Sequence, residues 1–484
     1  MSRSVSGPRA RRGVLVVSAL LAGCAVNPAT GERELSFVSE AQEIQMGREA
    51  DAQIVASLGL YPDSAVQRYV RGLGLRMAQE SERPNLPWTF RVVDDPVVNA
   101  FALPGGFVYI TRGIMTHLTS EAELMGVLGH EIGHVTAKHS VNQISRQQLY
   151  TLGLGVGMVF SETVRQFGDV AMQSLQLLFL KYGRDDERQA DELGFRYMTG
   201  EGYDPREMSR VFDMLGQISA QGGQRIPEWL STHPDPGRRA ETILAMAQQA
   251  GGVPPNALVR RPEYLRTIDG VVFGPDPREG YFEDGGVFLH PTLRFGITFP
   301  SGWQTVNQKQ AVQGVSPDQD AIAMLTLAEG ASAARTARDA FLGQEGIQAV
   351  GRSEQAIAGL PAAWAEFTGQ TEDGTQLHGL AAFVEHRGAV FRLLGYTTEA
   401  RWSARAGALE AFARSFRPVS DPAVLGAQPD RVDVVEVPTS MSVPEFLRRF
   451  PSSVPESTVS LINQFQGNTT LGRGELAKRV TGAR

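Results

Sequence analysis

Residues 124–139 read LMGVLGHEIGHVTAKH. Leu124, Val127, Leu128, Ile132 and Val135 recur at helical spacing, and Ser120 with Glu123 three positions on has the form of a capping box ahead of them. The stretch therefore reads as a buried helix. A helix turns 100° per residue, so His130 and His134 share one face, one turn apart, and can hold one cation between them. Glu131 lies beside that face, within reach of a water on the cation. A core helix that merely carries two histidines would show the same five-residue pattern in roughly one such chain in a hundred. A third ligand is what separates the two readings, since catalytic zinc sites take three protein side chains and leave one position open.

That candidate comes 53 positions after His134, in the run YGRDDERQADELG, residues 182–194. Glu187 and Asp191 are four apart and share a helix face. One carboxylate can bind the metal while the other accepts the ring N–H of a ligating histidine and fixes its tautomer. Glu187 is the expected ligand. His117 reads as a surface residue, and His139, five past His134, points elsewhere on the helix.

HEIGH followed by R-x-x-E-x-x-A-D-x-x-G resembles the zinc metallopeptidase family of the CAAX prenyl protease and HtpX, in its periplasmic, BepA-like lipoprotein branch. NPATGERELSFVSEAQEIQMGREA near the start, NAFALPGGFVYITRG before the helix, and STHP with Arg239 six residues after its histidine agree with it. The likeness covers roughly residues 25–250 and departs at Gln189, where the family often has Glu. It implies a mainly helical, gluzincin-type zincin domain with a small sheet. One Zn²⁺ per chain would be held by His130, His134 and Glu187, with Glu131 as general base and Asp191 orienting a ligand histidine. It also implies that His233 sits near the zinc, either closing its fourth position at rest or steadying the oxyanion, with Arg239 binding a carboxylate or oxyanion nearby. A strand beside the metal would pair with extended protein substrates, which the resemblance makes misfolded or stalled envelope proteins; residues 107–111 are either that strand or one lying inside the sheet.

The rest of the chain sets the context. Residues 1–23 combine Arg3, Arg9, Arg11 and Arg12 with a short apolar run, the pattern of a signal peptide. Leu21-Ala22-Gly23-Cys24 looks like a bacterial lipobox, and Cys24 is the single cysteine of the protein. A lone thiol forms no internal disulfide but can take lipid, and several acyl chains on one residue hold a protein on a membrane. Ala25 after the cysteine points, in that class, to the periplasmic side of the outer membrane. Cleavage there removes four Arg and no acid, taking the formal charge from −7 to −11. An acidic chain without a basic stripe argues against nucleic acid.

Residues 39–58 and 63–80 read as helices, and 88–93 and 107–111 as strands. Two apolar stretches, 149–160 and 170–180, are each too short to span a bilayer and read as a helical hairpin packed over the cleft. The expected organisation is α+β. A metallopeptidase domain fills 24–250, a breaker-rich linker 251–285 and an α/β sandwich 286–418, loosely similar to PsbP- and Mog-like domains. A small βααβ module at 430–484 resembles LysM, and such a module would bind peptidoglycan.

Overall fold

The structure, a computed structural model, describes residues 24–145, 182–221, 233, 236–371, 374–467 and 469–482. The signal segment and both apolar stretches of the expected hairpin lie outside those residues.

The N-terminal half is built round one helix. A short hairpin, β1 (Cys24–Val26) and β2 (Arg33–Leu35), leads into α1 (Glu40–Leu58) and α2 (Ser64–Gln79). Ser39 and Asp63 cap these helices, each side chain accepting from backbone N–H groups of the first turn. β3 (Thr89–Val93), β4 (Ala100–Leu103) and β5 (Phe107–Thr111) form a three-stranded sheet with β5 central, parallel to β3 and antiparallel to β4. β4 was not apparent in the sequence, because AFAL is apolar throughout and lacks the alternation of a half-buried strand. α3 (Arg112–His117) follows directly, and then α4 (Glu121–Thr136), which carries the HEIGH motif and has every residue buried.

Ser120 caps α4 by accepting from the Glu123 N–H at 3.1 Å. The expected reciprocal bond is not made; Glu123 turns its carboxylate to the N–H and hydroxyl of Thr119 instead. His117 is also not a surface residue. Its Nδ1 lies 2.8 Å from the Gly113 carbonyl and its ring stacks on Phe273.

α5 (Arg184–Gly200) packs along α4, and glycines set how closely. A Cβ on Gly194 would lie 2.8 Å from the His130 nitrogen, and one on Gly133 would lie 3.0 Å from the Ala190 carbonyl. Gly194 follows Asp191 by three residues and Glu187 by seven, so the glycine contact brings both carboxylates onto the face of α5 that meets His130. α6 (Arg206–Gln221) and α7 (Pro236–Gln249) complete this layer.

Residues 251–285 do not form the open linker expected of them. They contain α8 (Arg261–Ile268), whose Tyr264, Leu265 and Ile268 are fully buried in the same core as Leu128 and Ile132. The Tyr264 hydroxyl donates to the Met115 carbonyl at 2.7 Å. Pro262 sits in the first turn of this helix, where the N–H it lacks has no partner to lose.

The following unit has two sheets, the larger buried on both faces along its central strands. Its strands are β6 (Tyr281–Glu283), β7 (Val287–His290), β8 (Phe295–Thr298), β9 (Gln304–Asn307), β10 (Ala311–Val315), β11 (Ala321–Leu327), β12 (Ile347–Ser353), β13 (Ala362–Gln370), β14 (Gln376–His386), β15 (Ala389–Thr398) and β16 (Arg417–Pro418). Seven run antiparallel in the order β12-β13-β14-β15-β11-β10-β9, and a smaller sheet is ordered β16-β8-β7-β6. Alternation along β13 and β14 sends Trp364, Leu380 and Ala382 toward the small sheet and α10 (Trp402–Arg414). It sends Phe367, Ala381 and Phe383 toward α9 (Ala334–Leu342).

The C-terminal segment pairs β17 (Arg431–Glu436) with β18 (Leu476–Thr481), enclosing α11 (Val443–Arg449) and α12 (Glu456–Asn463). This unit is fused to the first: Val432 belongs to the core around α4, and the buried Lys478 Nζ donates to the carbonyls of Thr116 and Leu118 at 2.9 and 2.6 Å.

Candidate metal centre

Because α4 is buried all round, both histidines of its motif face protein, and α5 supplies what they face. His130 Nε2 and His134 Nε2 are 3.0 Å apart. Glu187 brings Oε1 to 3.4 Å from His134 Nε2 and Oε2 to 3.7 Å from His130 Nε2. His233 completes the group, its Nδ1 lying 2.8 Å from Glu187 Oε1 and 3.2 Å from His130 Nε2. All four side chains are buried, and one ligand atom from each lies within 4.8 Å of all the others.

These residues fit a zinc ion. Zn–N distances of about 2.0–2.1 Å place the corners of a tetrahedron about 3.3–3.4 Å apart, close to the separations here. Three nitrogen lone pairs and a carboxylate crowded together without solvent are costly unless a cation lies between them. Burial pushes the His134 imidazole well below its ordinary pKa, so it is the neutral base that a metal requires. Glu131 adds an independent observation. Its carboxylate is buried beside the cluster, 3.9 Å from His233 Nε2, and neither oxygen has a hydrogen-bond partner among the described residues. A buried carboxylate without a partner is expected where a water or substrate group is to be bound.

A second layer holds the first in place. Asp191 Oδ1 is 2.9 Å from His130 Nδ1, so the carboxylate can accept the ring N–H and leave Nε2 free for metal. Arg239 grips Asp191 with two parallel bonds, Nε to Oδ2 at 2.8 Å and Nη2 to Oδ1 at 2.7 Å, while Nη1 lies 2.7 Å from Glu187 Oε2. Burial alone would raise both carboxyls, yet the charges around them hold both below the usual range. For Glu187 these are chiefly His233 and Arg239, and for Asp191 chiefly Arg239. Arg239 is thus a clamp between the two acids of α5, and the Phe212 ring covers its guanidinium at 4.3 Å.

The structure therefore brings together His130, Glu131, His134, Glu187, Asp191, His233 and Arg239. Three more residues belong to the site that the sequence did not single out for it. Tyr182 stacks on the His134 ring with centroids 3.9 Å apart. His139 does not point away as expected: its Nδ1 lies 2.9 Å from His134 Nδ1. α4 ends at Thr136, and Lys138 adopts a left-handed backbone conformation, φ 58°, which swings His139 back over the preceding turn. Gln189 then meets His139 Nε2 at 2.8 Å. Cys24 lies in β1, in the hairpin that packs near this layer.

Residues 64–247 match peptidase family M48. Among curated proteins, the mitochondrial metalloendopeptidase OMA1 of Arabidopsis thaliana is 34% identical over 170 residues, which is 35% of this chain and 33% of that protein. The beta-barrel assembly-enhancing protease of Escherichia coli K12 is 28% identical over 230 residues, 46% of this chain and 47% of that one. The chain thus spans between a third and a half of the length of these relatives. A solved cyanobacterial PsbP from Synechocystis is 19% identical, covers 29% of this chain and 96% of its own, and aligns with a TM-score of 0.23.

Proposed function

We propose that this chain, which carries a peptidase family M48 domain homologous to the assembly-enhancing and OMA1 metallopeptidases, is a zinc-dependent endopeptidase of the bacterial envelope that hydrolyses misfolded or stalled proteins. The observation that carries this reading is the buried His130–His134–Glu187 cluster with the orphaned Glu131 carboxylate against it. Zinc in that cluster would polarise a scissile carbonyl and lower the pKa of a water there. Glu131 takes the proton from that water and later passes it to the leaving amine. Asp191 keeps His130 in the tautomer that offers Nε2, and Arg239 keeps Asp191 and Glu187 in register. A generic assay on unfolded casein, run beside a chelator-treated control, tests the activity. Absence of chelator-sensitive cleavage would reject it.

His233 can play either of two parts. As a fourth ligand it would hold the site at rest; beside the reacting carbonyl it would steady the oxyanion. The 2.8 Å approach of its Nδ1 to Glu187, within the ligand cluster, favours restraint. His233→Ala is then expected to raise basal cleavage with zinc content unchanged. A fall of about 10²-fold or more would assign it the oxyanion role instead.

The anchor rests on Cys24, the only thiol available for acylation. No helix among the described residues is long and apolar enough to cross a membrane. Labelled fatty acid should enter the wild type and not Cys24→Ser, and label retained in that variant would overturn the lipoprotein assignment. The βααβ order of residues 431–481 supports a LysM-like module facing peptidoglycan, with pull-down on purified sacculi as its test. A latent peptidase serving mainly as a peptidoglycan- or partner-binding protein, or as a chaperone, is the alternative. It gains nothing from a buried Glu131 that has no hydrogen-bond partner among the described residues.

A further inference from the structure

The two ligand histidines of α4 are oriented by different means. His130 has the carboxylate of Asp191 on its Nδ1, the common arrangement for a metal-bound imidazole. His134 has none. Its Nδ1 faces another imidazole, His139, at 2.9 Å, and His139 Nε2 in turn faces the side-chain oxygen of Gln189 at 2.8 Å. That oxygen also lies 3.4 Å from Asn27 Nδ2, and Asn27 donates from the same nitrogen to Glu34 Oε1 at 2.8 Å. Asn27 follows β1, Glu34 lies in β2 and reaches Asn142, and the Phe37 N–H donates to Ser145 Oγ at 3.1 Å. The N-terminal hairpin thereby grips the 139–145 helical turn from which His139 projects.

Only one assignment of protons satisfies this chain. His134 offers Nε2 to the cluster, so its proton is on Nδ1 and must be donated to His139 Nδ1. His139 then carries its own proton on Nε2 and donates it to Gln189, whose amide oxygen accepts again from Asn27. Every donor meets an acceptor: the two imidazole N–H groups point outward from the cluster, and the Asn27 amide donates back to the Gln189 oxygen. No formal charge is needed along it, in contrast with the anionic partner of His130.

We propose that His139 is a positioning residue for the metal ligand His134, held in its accepting tautomer by Gln189, and that the N-terminal hairpin fixes this pair through Asn27. The inference rests on the zinc reading above and adds to it the means by which the second histidine is aimed. Outer partners of this kind typically change metal affinity or activity by about 10- to 100-fold when removed.

The test is zinc affinity by competition with a chromogenic chelator, together with the visible spectrum of the Co²⁺-substituted protein. The proteins are the wild type, His139→Leu, His139→Asn and Gln189→Ala. His139→Leu fills the space without an acceptor and should bind zinc about 10- to 100-fold more weakly, with an altered Co²⁺ band. His139→Asn places an amide oxygen near the lost Nδ1 and should return affinity to within several-fold of wild type, a rescue that a purely space-filling role would not produce. Wild-type affinity and spectrum in His139→Leu would overturn the proposal. Should that variant fail to fold, Gln189→Ala decides, since Gln189 is only partly buried. A loss of roughly threefold or more is expected from it, and unchanged affinity would refute the chain. A wild type that binds no zinc would sink the zinc reading itself, and this inference with it.

Discussion

Glu131→Gln is expected to lower proteolysis by about 10²- to 10⁴-fold while leaving zinc bound at wild-type stoichiometry. The two halves of that result come from different atoms. The amide is isosteric with the carboxylate and sits in the same buried place, but it can no longer take a proton from water. The ligand atoms of His130, His134 and Glu187 are untouched, and Glu131 lies 3.9 Å from His233 Nε2. The carboxylate has no hydrogen-bond partner to lose among the described residues, so the exchange should cost little stability and could gain some. Equal rates of casein cleavage by the two proteins would remove Glu131 as the base.

Glu187→Ala should do the reverse and take the metal with it. Glu187 supplies the only carboxylate in the cluster among the described residues and stands between His134, His233 and Arg239. Its loss should weaken zinc binding by more than the 10- to 100-fold expected of outer-shell changes. It also deprives the Arg239 guanidinium of one of its two buried anions. Breaking a buried pair in this way costs about 3–5 kcal/mol when nothing replaces it; the surviving Asp191 bonds should hold the loss below that. Metal analysis after dialysis checks the first effect and thermal unfolding of the metal-free proteins the second. Stoichiometric zinc in the variant would take Glu187 off the ligand set.

How much of this centre was legible in the sequence follows from how local each relation is. His130 and His134 are one helical turn apart, and Glu187 and Asp191 are one turn apart, so periodicity alone places each pair on a common face. That the two faces meet depends on Gly129, Gly133 and Gly194, which no short-range pattern reveals. Arg239 was expected near a carboxylate or oxyanion, but its grip on both Asp191 and Glu187 needs α7 to lie against α5, a long-range fact. His139 was misread for a definite reason: its helical phase points away from His134, and one left-handed residue, Lys138, cancels that phase. Gln189 drew notice only as a departure from the family pattern, since its partner His139 had been placed elsewhere. The linker at 251–285 was misread because Pro and Gly flank α8 closely and outweigh an eight-residue helix in any local reading.

Zinc should be held by the buried cluster on α4 and α5, and X-ray absorption at the zinc edge tests this most directly. The purified wild type should carry one zinc per chain with only nitrogen and oxygen neighbours at about 2.0–2.1 Å, at least two of them showing imidazole scattering. Wild-type protein that takes up no zinc on reconstitution, or that shows the same imidazole-rich shell after both His130 and His134 are replaced by alanine, would contradict it.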